Sequence, residues 1–405
     1  MLASDALLEN RSSVLLGLAL APSLLITVTA IVYYLLALSA AVRFLQPAPP
    51  PNRRFEPPVT IVKPLHGVEP STDEALSSFC ELTYPCLQII FAVRSAADPA
   101  VALVEQLIRR YPERDLALVI SDHRDGTTHG GANHGGANPK VNNMAHALAQ
   151  AKHSILVFAD SDIWVAPDYL HRVVQPLQDP GVGLVTTMYR TRPATWIAAF
   201  EALATSTEFF PSVLVARQLE GMAFAFGATI VIRRRVLDGF GGLPLVSHYL
   251  ADDFKLGQCT ARSGFQVVLS EHVVDHALRT ASFREMLQHQ LRWARGNRFS
   301  RPWGTLGLVF TYGTLSSFVV LLLAGATSPA VALLLLTWGL RYALGWVVGV
   351  RLLQDAAAMR LLWLAPVRDL VSALVWLVSW FGADVTWGGR RLILTSGGRI
   401  RESRS

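Results

Sequence analysis

The sequence predicts an α/β domain built on a mostly parallel sheet and inserted between membrane helices. Three observations carry that expectation. Residues 14–42 are apolar throughout, broken only by Pro22 and a few small polar residues, and exceed the ~20 residues that a bilayer requires. From about residue 58 to 298, short apolar runs alternate with amphipathic stretches, the βαβ order that builds parallel sheets. Beyond Arg301-Pro302, long apolar segments return.

Composition agrees. Of 405 residues, 51% are hydrophobic and only 16% charged, a balance too apolar for an ordinary soluble enzyme. The net charge of +6 comes from scattered arginines with a cluster at the C-terminus. No basic stripe with interleaved aromatics is present, which points to anionic lipid and away from nucleic acid. Cys80, Cys86 and Cys259 are odd in number and lack metal-ligand spacing, so buried free thiols are expected and no disulfide framework or zinc site.

The first apolar run is long for a signal segment and lacks a small-residue cleavage site, so it reads as an uncleaved anchor. Arg43, Arg53 and Arg54 follow it, whereas only Arg11 precedes it among Asp5 and Glu9. The positive-inside rule then places the following domain in the cytosol. Gln46-Pro-Ala-Pro-Pro-Pro51 is a stiff linker and a domain boundary. The expected division is an anchor and linker over 1–50, the α/β domain over 51–300, transmembrane or re-entrant helices over 301–385, and a basic cytosolic tail over 386–405.

Within the α/β domain, residues 59–62, 87–93 and 116–120 read as strands, with a helix over 99–111 presenting Val101, Val104, Leu107 and Ile108 on one face. Next comes a perfect duplication, His129-Gly-Gly-Ala-Asn133 and His134-Gly-Gly-Ala-Asn138, read as a flexible Gly-rich loop and not as a metal site. A helix follows through residue 151. Residues 155–159 form an uninterrupted apolar run, the mark of a strand buried on both faces. That run ends in Asp160 and Asp162, where ligands bind in open α/β sheets, beyond the carboxyl ends of the strands. Alternation along an extended chain puts both carboxylates on one side, able to share a hard cation suited to a diphosphate.

Residues 196–216 are apolar, but Glu201, Glu208 and Pro211 argue for a helix at the membrane interface, or the wall of a lipid-acceptor groove, over a span. Residues 222–232 read as a strand in which Gly227 marks a close backbone approach to a ligand. A second acidic pair, Asp252-Asp253, precedes a helical stretch, where the N-terminal dipole favours carboxylates. His289-Gln-Leu-Arg-Trp293 offers a guanidinium fork for phosphate oxygens and an indole face for a sugar or lipid.

Two spans are expected at about 306–326 and 330–350. A third apolar stretch, 361–382, contains Pro366, Arg368 and Asp369. A charge at the bilayer centre costs ~2.5–3.5 kcal/mol even on the lenient insertion scale. A re-entrant or interfacial pair of short helices is therefore expected there, its charges facing the α/β domain or an acceptor entrance.

Together the motifs resemble one family. Val62-Lys-Pro-Leu-His-Gly67, Tyr84-Pro85, Asn138-Pro-Lys-Val-Asn-Asn143, Asp160-Ser-Asp162, Ala251-Asp-Asp253 and Arg292-Trp293 appear in the order seen in ceramide glucosyltransferases and their bacterial relatives. Trp387-Gly-Gly-Arg-Arg-Leu392 looks like that family's tail, so the resemblance spans essentially the whole chain. His289-x-x-Arg-Trp and Phe226-Gly-Ala-Thr-Ile look most like the hopanoid-biosynthesis-associated glycosyltransferases of bacteria.

The resemblance implies a GT-A type nucleotide-sugar-binding domain in a multi-pass protein of the bacterial cytoplasmic membrane, with the domain facing the cytosol. The implied reaction is inverting transfer of glucose or N-acetylglucosamine from a UDP-sugar to the hydroxyl of a membrane lipid, ceramide or hopanoid. By position, Asp160 would contact the nucleotide and, with Asp162, a divalent metal, Mg2+ or Mn2+. Lys63, Asp98 and Lys140 would lie on the donor nucleotide, Asp253 would be the general base, and Arg292 and Trp293 would border the diphosphate and acceptor. Two positions depart from the family pattern: Ser95 stands where an aspartate is usual, leaving Asp98 nearby, and His289 replaces the usual Gln or Arg. The alternative is a processive polysaccharide synthase of the related family 2 glycosyltransferases, for whose polymer channel two or three spans after the domain are few.

Overall fold

The computed structural model describes residues 2–46, 52, 54–121 and 136–402. The chain forms two compact units. A sheet unit comprises Pro47–Arg192, Glu220–Leu278 and Ala383–Ser405; a membrane unit comprises Met1–Gln46, Pro193–Leu219 and Arg279–Gly382. The His-Gly-Gly-Ala-Asn repeat, with His129 and His134, lies outside the described residues.

In the sheet unit, β1 (Val59–Leu65), β2 (Leu87–Val93), β3 (Asp115–Ile120), β4 (Ile155–Ala159), β5 (Ile163–Trp164), β6 (Val182–Pro193), β7 (Thr229–Arg233) and β8 (Gln266–Leu278) form one mixed sheet in the order β3-β2-β1-β4-β7-β6-β8-β5. The β3-β2-β1-β4 part is parallel, with Val59 opposite both Leu87 and Ile155. β7 joins β4 antiparallel, β6 joins β7, and β5 pairs with β8.

Period-two alternation divides the side chains between two cores. Ile61, Ile89, Phe91 and Val157 face one, with Leu76, Phe79, Val104 and Leu107 of the helices Thr72–Cys80 and Ala100–Arg110. Val62, Ile90, Leu156, Phe158 and Ile230 face the other, with Val141 and Met144 of Pro139–Leu148 and Leu256 of Asp252–Arg262. Covered on both faces, β4 is buried at every residue, as its unbroken apolar run implies.

The strand expected over 222–232 starts only at Thr229. Before it, Phe226 N–H donates to Thr186 Oγ1 (2.9 Å) and the Thr186 hydroxyl lies 3.3 Å from Phe226 O, fixing a loop. This loop is apolar because Phe224, Ala225 and Phe226 are buried, not because it is a strand. The cysteines are free, but Cys86 is exposed while Cys80 and Cys259 are buried.

The tail forms a second sheet of β9 (Asp384–Trp387), β10 (Arg390–Thr395) and β11 (Arg399–Glu402), an antiparallel meander. Gly388 and Gly389 make its first turn with φ of 54° and 73°, and Trp387 pairs with Arg390 across it. Two successive positive-φ positions are what a two-residue hairpin of the favoured twist demands.

In the membrane unit, Gly17–Phe44, Ser328–Leu352 and Ala356–Ser379 are long and apolar enough to cross a bilayer. Pro302–Thr311 and Gly313–Leu323 form a pair bent by 48°, a broken span or a re-entrant loop. The 361–382 stretch, expected to be a re-entrant or interfacial pair of short helices, lies largely within a candidate span by length and composition, and its proline and charges are accommodated locally. Pro366 sits in the first turn of the helix Ala365–Ser379, where a missing N–H leaves nothing unsatisfied. Arg368 and Asp369 are buried among protein groups: Asp369 pairs with Arg341 at 2.6 Å and accepts from Thr314, while Arg368 donates to Gln290 at 2.8 Å. A charge paired inside a helix bundle avoids the cost it would meet in lipid. Residues 196–220 run through the helix Trp196–Ala204, a wide turn Thr205–Phe209 and the helix Phe210–Glu220, and are not a candidate span.

Candidate active site

Two acid pairs converge at the carboxyl ends of the parallel strands. The first follows β4. Beneath its turn, the fully buried Lys63 of β1 donates from Nζ to the Asp160 carbonyl (2.9 Å) and lies 3.6 Å from the centre of the Phe79 ring. Burial, opposed by Asp162 and Asp160, pulls the Lys63 pKa down to about 7. Lys63 therefore supports the acid turn from below. Asp162 is tied to β8: Ala277 N–H donates to its carbonyl (2.9 Å), and His276 Nε2 stands 3.3 Å from its carboxylate. Burial works against ionisation of Asp162, but His276 outweighs it and holds the carboxyl below its usual range.

The second pair opens the helix Asp252–Arg262. Lys140 joins the two pairs, its Nζ 2.6 Å from Asp160 and 3.7 Å from Asp252. Burial favours its neutral form, yet the Asp160 and Asp252 carboxylates more than offset this and keep the ammonium charged. Lys140 lies in the first turn of Pro139–Leu148, which Asn138 caps by accepting from Val141 N–H. The Asn138 amide also donates to Tyr249 O (2.9 Å) and Asp252 Oδ1 (3.3 Å), so the cap and the second acid pair share one anchor.

Asp253 accepts from the backbone N–H groups of Gly227 and Phe254, each at 2.7 Å. A Cβ at Gly227 would meet Asp160 Oδ2 at 3.1 Å, Asp253 Oδ2 at 3.3 Å and Lys140 Nζ at 3.4 Å. The close approach expected at this glycine is to the site's own charged groups. Burial, reinforced by Asp252, pushes the Asp253 carboxyl up to about 6. Such a group is a stronger base than an ordinary carboxylate and is still mostly ionised at neutral pH.

Asp98 accepts from Gly67 N–H (3.0 Å) and Ala100 N–H (2.9 Å), tying the turn after β1 to the helix after β2. Arg292 and Trp293 belong to the membrane unit, on the helix Phe283–Ser300, with the Arg292 guanidinium 5.9 Å from the Trp293 ring. In the same unit His289 faces the buried Glu201 at 3.6 Å. The structure thus brings Lys63, Lys140, Asp160, Asp162 and Asp253 together. His276 was missed by sequence reading, although an Asp275-His276 pair inside a strand with buried apolar neighbours was a usable signal.

The donor set suits the implied divalent cation. Asp160 and Asp162 offer hard oxygens one residue apart, and Asp162 Oδ1 is buried with no hydrogen-bond partner among the described residues. No cluster of three or more His, Cys, Asp or Glu side chains in ligating arrangement occurs among the described residues. A hard divalent cation such as Mg2+ needs only one or two carboxylates and completes its shell with phosphates and water.

Sheet order and acid placement define the class: a GT-A-like glycosyltransferase fold joined to membrane helices. A mannosyltransferase from Pyrobaculum calidifontis, solved with GDP-Man and Mn2+, shares this fold with a TM-score of 0.52 at 20% identity, over 89% of this chain and 99% of that one. The model of glycosyl transferase family 21 matches residues 23–400, and the chain belongs to that family. Ceramide glucosyltransferase 3 of Caenorhabditis elegans is 27% identical over 241 residues, 59% of this chain and 50% of the relative. Ceramide glucosyltransferase 1 of the same organism is 23% identical over 364 residues, 86% of this chain and 74% of the relative. The ceramide glucosyltransferase of Candida albicans is 36% identical over 138 residues, 33% of this chain and 25% of the relative. The chain spans about half the length of the first of these and a quarter of the last.

Proposed function

We propose that the protein transfers one sugar, glucose or N-acetylglucosamine, from a UDP-sugar to the hydroxyl of a membrane lipid, ceramide or hopanoid, with inversion at the anomeric carbon. One observation carries the reading: Asp253, fixed by two backbone N–H groups and raised to about 6, stands beside the Lys140–Asp160 pair at the strand ends. A lipid hydroxyl is a poor nucleophile near neutral pH, and Asp253 accepts its proton as attack proceeds. A single displacement needs only this one base. Asp160 and Asp162 hold the divalent cation, which when bound neutralises charge on the leaving diphosphate. Lys140 keeps Asp160 and Asp252 in register and adds positive charge on the donor side. For Asp98 the supported role is shaping the Gly67 turn; for Arg292 and Trp293 the motif alone supports a part in transfer.

The tail supports a membrane topology. The tail is hydrogen-bonded to residues 248 and 250 through Ile400 and Gly398, so both stretches lie on the same side of the bilayer and the intervening chain crosses an even number of times. Two crossings among the bent pair Pro302–Thr311 and Gly313–Leu323, the helix Ser328–Leu352 and the helix Ala356–Ser379 meet this requirement, with the remaining one entering and leaving on one side. Arg43, Arg53 and Arg54 after the anchor support a cytosolic assignment for that side.

The test is mass spectrometry of lipids after incubating the purified protein with UDP-glucose or UDP-N-acetylglucosamine and ceramide or a hopanoid alcohol in micelles. A product heavier by one sugar is expected. A ladder of sugars would favour a processive synthase, and no lipid product with any pair would overturn the reading.

A further inference from the structure

The small sheet at the end of the chain grips the loop that leads into the second acid pair. Residues 248–250 immediately precede Ala251-Asp252-Asp253. Ile400 N–H donates to His248 O (2.8 Å), Leu250 N–H donates to Gly398 O (3.2 Å), and Tyr249 pairs with Arg399 as an antiparallel bridge. The loop is thus an extra edge segment on β11. Side chains repeat the contact: Arg399 Nε donates to Tyr249 Oη (3.2 Å), with its guanidinium 5.6 Å from that ring, and the Lys255 ammonium lies 4.8 Å from it.

The opposite side of the loop is held by the helix cap already described. Asn138 N–H donates to Ser247 O (2.8 Å) and its amide to Tyr249 O. The grip on β11 is firm because the small sheet has its own buried apolar face, with Val385, Leu392, Leu394 and Ile400 all at 5% exposure or less. Without Gly398 and β11, two backbone groups just upstream of the acids would lose their partners, and a segment with unpaired backbone groups moves to find others.

We propose that the C-terminal sheet is a positioning element for transfer: by pairing with residues 248–250 it fixes Asp253 against Gly227, with Tyr249 and Arg399 as positioning residues. This rests on the reading of Asp253 as the base. A stretch that follows the last membrane helix in sequence thereby completes a site whose other parts lie between Gly17–Phe44 and the later membrane helices.

The experiment compares full-length parent protein with Arg399→Ala, Tyr249→Phe and Ile400→Pro, the last removing the N–H that reaches His248. Hydrogen exchange is followed at 248–254, alongside kcat, donor KM and the thermal transition. Faster exchange confined to 248–254 is expected, with kcat down about tenfold or more, as displacement of a catalytic group implies, and donor KM within about twofold of the parent. Should Ile400→Pro lower the transition, the two side-chain variants decide. Unchanged exchange in those two would show that the tail does not hold the loop, and faster exchange with unchanged kcat would reduce the pairing to a structural contact; either overturns the proposal. An inactive parent would overturn the transfer reading instead, while exchange still reports whether the loop is held.

Discussion

Both units bury charge, and they do so in opposite ways. In the membrane unit, Asp369 meets Arg341 at 2.6 Å with Thr314 completing its shell, and both charged side chains are at most 5% exposed. In the sheet unit, Lys140 faces three carboxylates, those of Asp160, Asp252 and Asp253, in a partly open setting. Opposite charges set this closely against one another, with Glu208 a further 3.9 Å from Arg341, offer no net charge to a ligand. An excess of one sign, held by backbone N–H groups and one lysine, stays reactive toward a cation or a proton. Buried charge is therefore balanced in one unit and, at the candidate site of the other, left in excess of one sign.

Breaking the matched pair should give the largest effect on stability. Asp369→Leu removes the carboxylate in direct contact with the buried Arg341, leaving it only the Thr207 hydroxyl and Glu208 at 3.9 Å, and loss of one partner of a buried pair typically costs ~3–5 kcal/mol. A fall of the thermal transition in detergent is expected, with most of it recovered in Arg341→Met/Asp369→Leu. If the single variant is as stable as the parent, the pairing carries no structural weight. Asp162→Ala should leave the transition unchanged and weaken Mn2+ binding, read by electron paramagnetic resonance, at least ~10-fold, the lower end for even outer-shell losses around metals. Equal Mn2+ affinity in parent and variant would remove the cation from this acid pair.

Gly227→Ala probes the crowding directly. Its Cβ would stand 3.1–3.4 Å from two carboxylate oxygens and an ammonium, so a destabilisation in the ~1–3 kcal/mol range of overpacking, with lower kcat, is expected. Parent-like turnover would mean the cluster tolerates spreading. The smallest effect is on pH. With the Asp253 carboxyl ionising near 6 in the free protein, kcat/KM should rise through about pH 6 and level off above it, falling tenfold per unit on the acid side. The sign for stability is opposite: the folded chain keeps this proton above the ordinary value of 3.8, so this group's contribution is full below 3.8 and is lost as pH rises through about 6. A flat acid limb would place the base elsewhere.

The sequence made some of this legible. β4 and its acids stood out because a strand covered on both faces is apolar throughout, so Asp160 and Asp162 break the pattern at the functional point. β6 and β8 did not stand out, because Arg190, Arg192 and Asp275 interrupt their apolar residues, and those charges are explained only by pairing across the sheet. The tail's hold on 248–250 joins segments about 150 residues apart and leaves no local trace. Neither does the Arg341–Asp369 pair, so in the sequence Arg368 and Asp369 read as unpaired charges. Lys63 carried a motif but not its placement: a lysine in a strand buried at every residue points inward, under the acid turn.

The most direct measurement compares donor binding and single-turnover sugar transfer to lipid in the parent and in Asp253→Asn. Calorimetry with UDP-sugar and Mn2+ should give the same affinity within about twofold, with the same thermal transition, while transfer falls by at least ~10²-fold, the usual worth of a general base. Transfer at near-parent rates with donor binding intact would contradict the assignment of the unmatched carboxylate as the catalytic base.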